Sequence, residues 1–294
     1  MLDSQWPRVV PHSPGGEVPD AVVRLLSFSA RLFGVQDDVV DALARIYPHT
    51  SRACATRSAF IHADSHIADI RLDDVIGPDL VGVSQISETL GTLEFLLDTL
   101  ALRSFDNHLV LHSGAVAVGD MGFLIPAASG AGKSTLVAAL AQSGFVVLSD
   151  EFAILDIGTL RLRPFPKALC LKTGGRLVVE RAFGVSLDTV PVRRVNHQCV
   201  SFVSAQRMFP VERCATPGAI VILNRVSSGK SSITAISRAE ALATLLQQSL
   251  NVPQHGVSGI DTLVGLVEST ECLRLTYADA RDAVGSIERF VSAI

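Results

Sequence analysis

The sequence predicts an α/β fold in two unequal parts, a smaller N-terminal α+β domain over 21–104 and a larger α/β domain over 105–294 behind an irregular leader at 1–20. Three observations predict it. The chain has 294 residues, 48% hydrophobic and 18% charged, which suits a compact globule with a sizeable core. Beyond about residue 105, short apolar runs alternate with helical patterns. Residues 121–142 read as a strand, a small-residue loop and a helix in immediate succession.

The leader holds four prolines and a pair of glycines, so it is assigned no regular element. Residues 22–33 are dense in apolar and small side chains, and their periodicity suits strand or helix. A helix is expected over 35–46, with Val39, Val40, Leu43 and Ile46 on one face and Pro48 ending it. Alternation through His62, Asp64, His66, Ala68 and Ile70 predicts strand. Ser87 and Glu88 open a second helix, expected over 87–102, that buries Leu90, Leu93, Phe95, Leu96 and Leu100 and links the two parts. Strands are then expected at 109–118, 121–126, 145–149, 168–171, 219–223 and 273–277. No internal repeat is seen.

Charge and cysteine usage narrow the function. A formal net charge of −4 and a pI near 6.1 give no global basic field, which argues against nucleic acid as a partner. The five cysteines are scattered without metal-ligand spacing and read as reduced thiols. The N-terminus lacks the basic-then-apolar order of a signal peptide, and no apolar run reaches the roughly 18 residues that span a bilayer. A cytoplasmic protein that is not integral to a membrane is expected.

The decisive segment joins the run at 121–126 to a helix through Ala127, Ala128, Ser129, Gly130, Ala131, Gly132, Lys133, Ser134 and Thr135. This is the strand–loop–helix context that a P-loop requires. Gly130 and Gly132 let the backbone wrap around phosphate oxygens, and the following helix aims its positive end at the same charge. Lys133 supplies a point charge for the β- and γ-phosphates, and Ser134 offers a hydroxyl to Mg2+, with Thr135 a secondary candidate. Ala127 stands where the motif has its first glycine, so the turn out of the strand must use a conformation that alanine tolerates. ATP with Mg2+ is the expected ligand.

Asp150 and Glu151 follow the next strand, at the sheet edge where α/β proteins bind ligands. Asp150 suits the proton acceptor of an attacking hydroxyl, and Glu151 suits a Mg2+ ligand, direct or through water. A helix cap or surface turn would use the same residues. Lys172 closes a strand-like run and is either a contact for the γ-phosphate or phosphoacceptor, or a solvated lysine. Arg161 and Arg163 fall near it as candidates for one electropositive rim.

His112 lies 21 residues before Lys133, and the acid pair begins 17 after it. In order and separation these residues resemble the kinase core of bacterial HPr kinase/phosphorylase, a P-loop serine protein kinase, closely over 112–151. The resemblance implies that Asp150 is the catalytic base and that His112 lies by the active site. The acid pair departs from the family's Asp-Asp, and its later arginine-glycine signature has no equivalent, so phosphorylase activity is not implied. A wider likeness is to HPr-kinase-related proteins found beside peptide-modification genes, including kinases of lasso-peptide precursors. It rests on 44–48 (ARIYP), 111–115 (LHSGA), 148–152 (LSDEF), 164–172 (PFPKALCLK), 237–241 (SRAEA) and 273–277 (LRLTY). The implied fold is a P-loop kinase core of the HPr kinase type, and hexamers in that family leave room for a homo-oligomer.

The expected function is therefore an ATP-dependent kinase, a phosphotransferase acting on a Ser/Thr hydroxyl of a peptide or small protein. A kinase for a free amino acid or sugar, and a nucleotide-dependent ATPase or switch without phosphotransfer, are the alternatives. Three further groups are set aside. His62 and His66 lack a third metal ligand, Ser113 lacks a nucleophile elbow, and Arg193 with Arg194 is a short basic patch in an expected loop over 188–197 that a partner or only solvent would face.

Overall fold

The computed structural model describes residues 19–52, 66–71 and 83–293. Among them lie seven helices and several sheets, a mixed α/β architecture. No helix among the described residues is long and apolar enough to cross a membrane. The chain divides into two units, Met1–Asp106 with Val190–Phe202, and Asn107–Thr189 with Val203–Ile294.

In the first unit the ambiguous run at 22–33 is a hairpin. β1 (Ala21–Leu25) and β2 (Phe28–Phe33) pair antiparallel, with Leu25 opposite Phe28. That leaves a two-residue turn, and Leu26 takes the left-handed φ of 55° that such turns demand. β3 (Thr50–Arg52) flanks β1, and β4 (His66–Arg71) runs parallel to β2, giving the order β3-β1-β2-β4. Arg31 lies opposite Asp69 in that register and forms an ion pair at 2.6 Å. His66 falls in β4, whereas His62 and most of the leader lie outside the described residues.

Helix α1 (Asp37–Ile46) buries Val39, Val40, Leu43 and Ile46, as its periodicity requires. Helix α2 (Val83–Arg103) starts a turn earlier than the Ser87-Glu88 pattern suggests, so Ser87 is inside it. Its buried face carries Leu90, Leu93, Leu96, Leu97 and Ala101, while Leu100 is half-buried and Phe95 is exposed. Phe95 lies between two buried rows, and the polar pair Glu94 and Asp98 takes the inner position instead. Tyr47 explains this, because its buried hydroxyl donates to Asp98 Oδ1 at 2.9 Å and lies 3.2 Å from the Glu94 carbonyl.

The sequence-based boundary at 105 assigns 190–202 to the second domain, whereas the structure puts this segment in the first unit. β11 (Thr189–Arg193) and β12 (Cys199–Val203) pair there, and Arg193 and Arg194 meet Glu88 at 3.3 Å and Glu94 at 2.5 Å. Gly91 permits the approach, since a methyl at that position would collide with the Arg193 carbonyl. The basic patch is thus ion-paired to α2 rather than left as a solvated loop.

The second unit is built on an eight-stranded sheet in the order β14-β15-β13-β6-β5-β8-β9, with β7 also on β5. β6 (Met121–Pro126), β13 (Thr216–Arg225) and β15 (Glu271–Tyr277) are parallel, and β5 (His108–Val118) and β14 (Ser232–Ala235) are antiparallel to their neighbours. Side chains alternate between two cores. Phe123 and Ile125 of β6 face α3 (Lys133–Gln142), α4 (Thr173–Phe183) and α7 (Ala280–Ala293). Leu124 faces α5 (Arg238–Gln248) and α6 (Val252–Ser269). Helices therefore cover both faces of the sheet. β7 (Val146–Ser149), β10 (Leu169–Lys172), β13 and β15 fall on expected runs. β8 (Phe152–Asp156), β9 (Leu162–Arg163) and β14 are too short or too mixed in pattern to read from sequence.

Candidate functional site

One strand organises the site. β6 pairs antiparallel to one edge of β5, with Ser113 opposite Pro126, while β7 pairs antiparallel to the other edge, with Ala115 opposite Ser149. Both neighbours therefore end at the same level of β5. The loop that leaves β6 and the acids that leave β7 must flank Ser113 and Gly114.

The acids sit where the ladder passes from one strand to the next. β7 and β8 both pair with β5, at 115–117 and 108–112, in one continuous register that sets Asp150 and Glu151 opposite Gly114 and Ser113, while the irregularity of β7 falls at Leu148. The Ser149 hydroxyl accepts from the Glu151 and Phe152 amides at 3.2 and 2.9 Å, and the Ser113 amide donates to the Glu151 carbonyl at 3.1 Å. Neither a helix cap nor a surface turn describes the pair.

Asp150 is buried, and its Oδ2 accepts from the Cys170 amide of β10 at 3.0 Å. Burial pushes the Asp150 carboxyl above the usual range, and repulsion from Glu151 adds to this, while Ser134, Lys133 and Lys167 act in the opposite direction.

The loop follows from backbone conformation. Gly130 and Gly132 take φ of 87° and 98°, open to glycine and costly to other residues. Ala127 is not among the described residues with positive φ, so the position held by glycine in the motif is occupied here without strain. Ala127 is buried, whereas Ala128, Ser129 and Gly130 are exposed, and the Ala131 amide closes a turn on the Ala128 carbonyl at 3.2 Å. Helix α3 begins at Lys133, so its first-turn N–H groups, which have no intrahelical acceptor, gather beside that turn.

Gly114 brings α3 onto β5. A methyl there would lie 2.6 Å from Val137 Cγ2 and 3.3 Å from Lys133 Cγ. Lys133 is consequently buried against the strand, with Nζ 3.5 Å from the Glu151 carbonyl. On its other flank the Tyr277 hydroxyl lies 2.9 Å from where a methyl on Gly132 would be. Gly175 of α4 packs on Thr135, with 2.5 Å between its Cβ position and the Thr135 hydroxyl.

His112 is half-buried opposite Phe152, with Nδ1 3.2 Å from Gln248 Oε1 at the end of α5. Burial and the Lys133 charge lower its pKa and favour the neutral ring, while the contact with Gln248 acts in the opposite direction. Lys172 is exposed at the junction of β10 and α4, three residues before Gly175.

Lys167 escaped the sequence reading. It is buried, with Nζ 3.5 Å from Glu151 Oε2 and 5.8 Å from the Phe152 ring centroid. Its only sequence signal is a lysine between apolar residues in 164–172, the same run that ends on Lys172. Arg161 and Arg163 form no rim at this site. Arg161 donates to Thr216 Oγ1 and the Cys214 carbonyl, and Arg163 pairs with Asp156 at 3.3 Å. The Ser113 hydroxyl donates to the Gly114 carbonyl at 2.8 Å, in keeping with a structural role.

Fold and site define a mixed α/β protein whose glycine-bearing strand–loop–helix junction meets an acid pair, one member buried and one half-buried, across one central strand. No protein-family model matches the chain, and no curated protein matches it either.

Proposed function

We propose that the chain is an ATP-dependent kinase with a P-loop core of the HPr kinase type, transferring the γ-phosphoryl group to a Ser/Thr hydroxyl of a peptide or small protein. The observation that carries this reading is the convergence of Lys133, at the start of α3, on the acid pair, with its Nζ 3.5 Å from the Glu151 carbonyl beside the buried Asp150. It joins a phosphate-binding geometry to a proton acceptor within one site.

The residues fit Mg2+ and ATP. Exposed loop amides and Lys133 suit the phosphates, and the hydroxyl of Ser134 with the carboxylate of Glu151 forms the hard-oxygen donor set that Mg2+ takes. When bound, the ion neutralises charge on the phosphate oxygens. Asp150 accepts the acceptor's proton as the hydroxyl oxygen bonds to the γ-phosphorus and the bond to the β-phosphate bridging oxygen breaks, releasing ADP. His112 and Lys172 are the candidates for contact with the acceptor.

Protein incubated with γ-labelled ATP and precursor peptides tests the reading. Label in peptide is the expected result. Label confined to a free amino acid or sugar, or released only as phosphate, overturns it in favour of a small-molecule kinase or an ATPase switch. Asp150→Asn is expected to bind ATP normally and to lose about 10²- to 10⁴-fold in transfer rate.

A further inference from the structure

We propose that Lys167 is a positioning residue whose buried ammonium fixes the Glu151 carboxylate for the divalent cation that accompanies the nucleotide. This rests on the kinase reading above.

Two ammonium groups converge on Glu151. Lys133 Nζ lies 3.5 Å from its carbonyl oxygen and Lys167 Nζ lies 3.5 Å from its carboxylate. Their fates differ once a triphosphate enters. Lys133 belongs to the loop and turns its charge to the phosphates, whereas Lys167 is walled in. Its side chain is only 4% exposed, and its ammonium stands over Phe152, which packs edge-to-face on Phe165 at 5.4 Å. The Phe165 amide bonds the Leu148 carbonyl at 2.9 Å, and the Lys167 amide bonds the Phe165 carbonyl at 2.8 Å. The segment is therefore tied to β7, the strand that delivers the acids.

A lysine this deeply buried is costly unless paired, and Glu151 offers it a carboxylate at 3.5 Å. Glu151 adjoins Asp150, and two neighbouring carboxylates repel. A fixed cation beside the outer one restrains its torsions and keeps an oxygen aimed at the site. Groups that orient a metal ligand in this way typically contribute 10- to 100-fold to metal affinity or activity.

The test reads metal binding directly, with Mn2+ as the probe, its free signal followed by electron paramagnetic resonance in the presence of protein and a non-hydrolysable ATP analogue. Lys167→Met is expected to weaken Mn2+ binding about 10-fold or more and to lower kcat with little change in KM for ATP. Lys167→Arg, which keeps the charge, should restore part of both. In a Glu151→Gln background Lys167→Met should add no further loss, because Lys167 acts through that carboxylate. Lys167→Gln repeats the comparison if the Met variant does not fold. Parental Mn2+ affinity in the Met and Gln variants, or a full additional loss beyond Glu151→Gln, overturns the inference while leaving the kinase reading intact. A parent protein that binds neither Mn2+ nor the analogue overturns the kinase reading and this inference with it.

Discussion

Asp150 shows how one residue is tuned by its surroundings. Its carboxyl is sealed beneath β10 and next to another acid, so ionisation is disfavoured in the folded protein, burial being the main cause. The sign of the linkage follows. With a folded-state pKa above the unfolded value, the stability that Asp150 contributes is present below the unfolded pKa and is lost as pH rises through the folded pKa. Asp150→Asn keeps an acceptor for the Cys170 amide and cannot ionise. Without nucleotide it should melt a few degrees above the parent at pH 7, and the gap should close as pH falls below the carboxylate range, as thermal unfolding across pH would record. Lys133→Ala is the complementary change, expected to abolish binding of a fluorescent ATP analogue.

At the scale of elements, two glycines determine how closely helices approach their neighbours. Gly114→Ala places a methyl 2.6 Å from Val137 Cγ2, so α3 must shift away from β5 and carry Lys133 with it. A cost of about 1–3 kcal/mol is expected in chemical denaturation, together with weaker nucleotide binding. Pairing it with Val137→Ala, which removes the obstructing methyl, should recover much of the nucleotide affinity. A double variant no better than Gly114→Ala would show that the strand–helix distance is not what Gly114 sets. Gly91→Ala meets main chain at Arg193, which cannot rotate away. Its loss of stability should therefore persist when Arg193 is shortened to alanine.

Across the whole molecule, the proposed ligand belongs to the second unit, and linkage makes that measurable. A nucleotide at about 100 times its Kd adds roughly 2.7 kcal/mol to stability. The resulting rise in Tm should vanish in Lys133→Ala, and slowed hydrogen exchange should concentrate in 121–152. The two units differ in how far they were legible. α1 announces itself because apolar residues at helical spacing are cheap to read, and β6 because Met121–Pro126 is bounded by Asp120 and the small-residue loop. Residues 190–202 gave no such sign, since their membership depends on ion pairs to Glu88 and Glu94 a hundred residues earlier in the chain. Phe95 departs from its expected burial for a similar reason, because the buried Tyr47 hydroxyl, about fifty residues earlier, bonds Asp98 on the inward side of that turn.

By itself the sequence determined the strand–loop–helix at 121–142, its two glycines and the acid pair that follows, because these are local patterns in which residue type dictates backbone conformation. Tertiary structure decided the rest. It showed that Ala127 needs no left-handed φ, that Asp150 and Glu151 join two strands that both pair with β5 rather than ending a strand, and that Lys167 lies against Glu151 while Lys172 is exposed. Each of these depends on which strand lies beside which. Pairing partners distant in sequence are chosen by the packing of two cores on opposite faces of one sheet, and no local pattern encodes that choice.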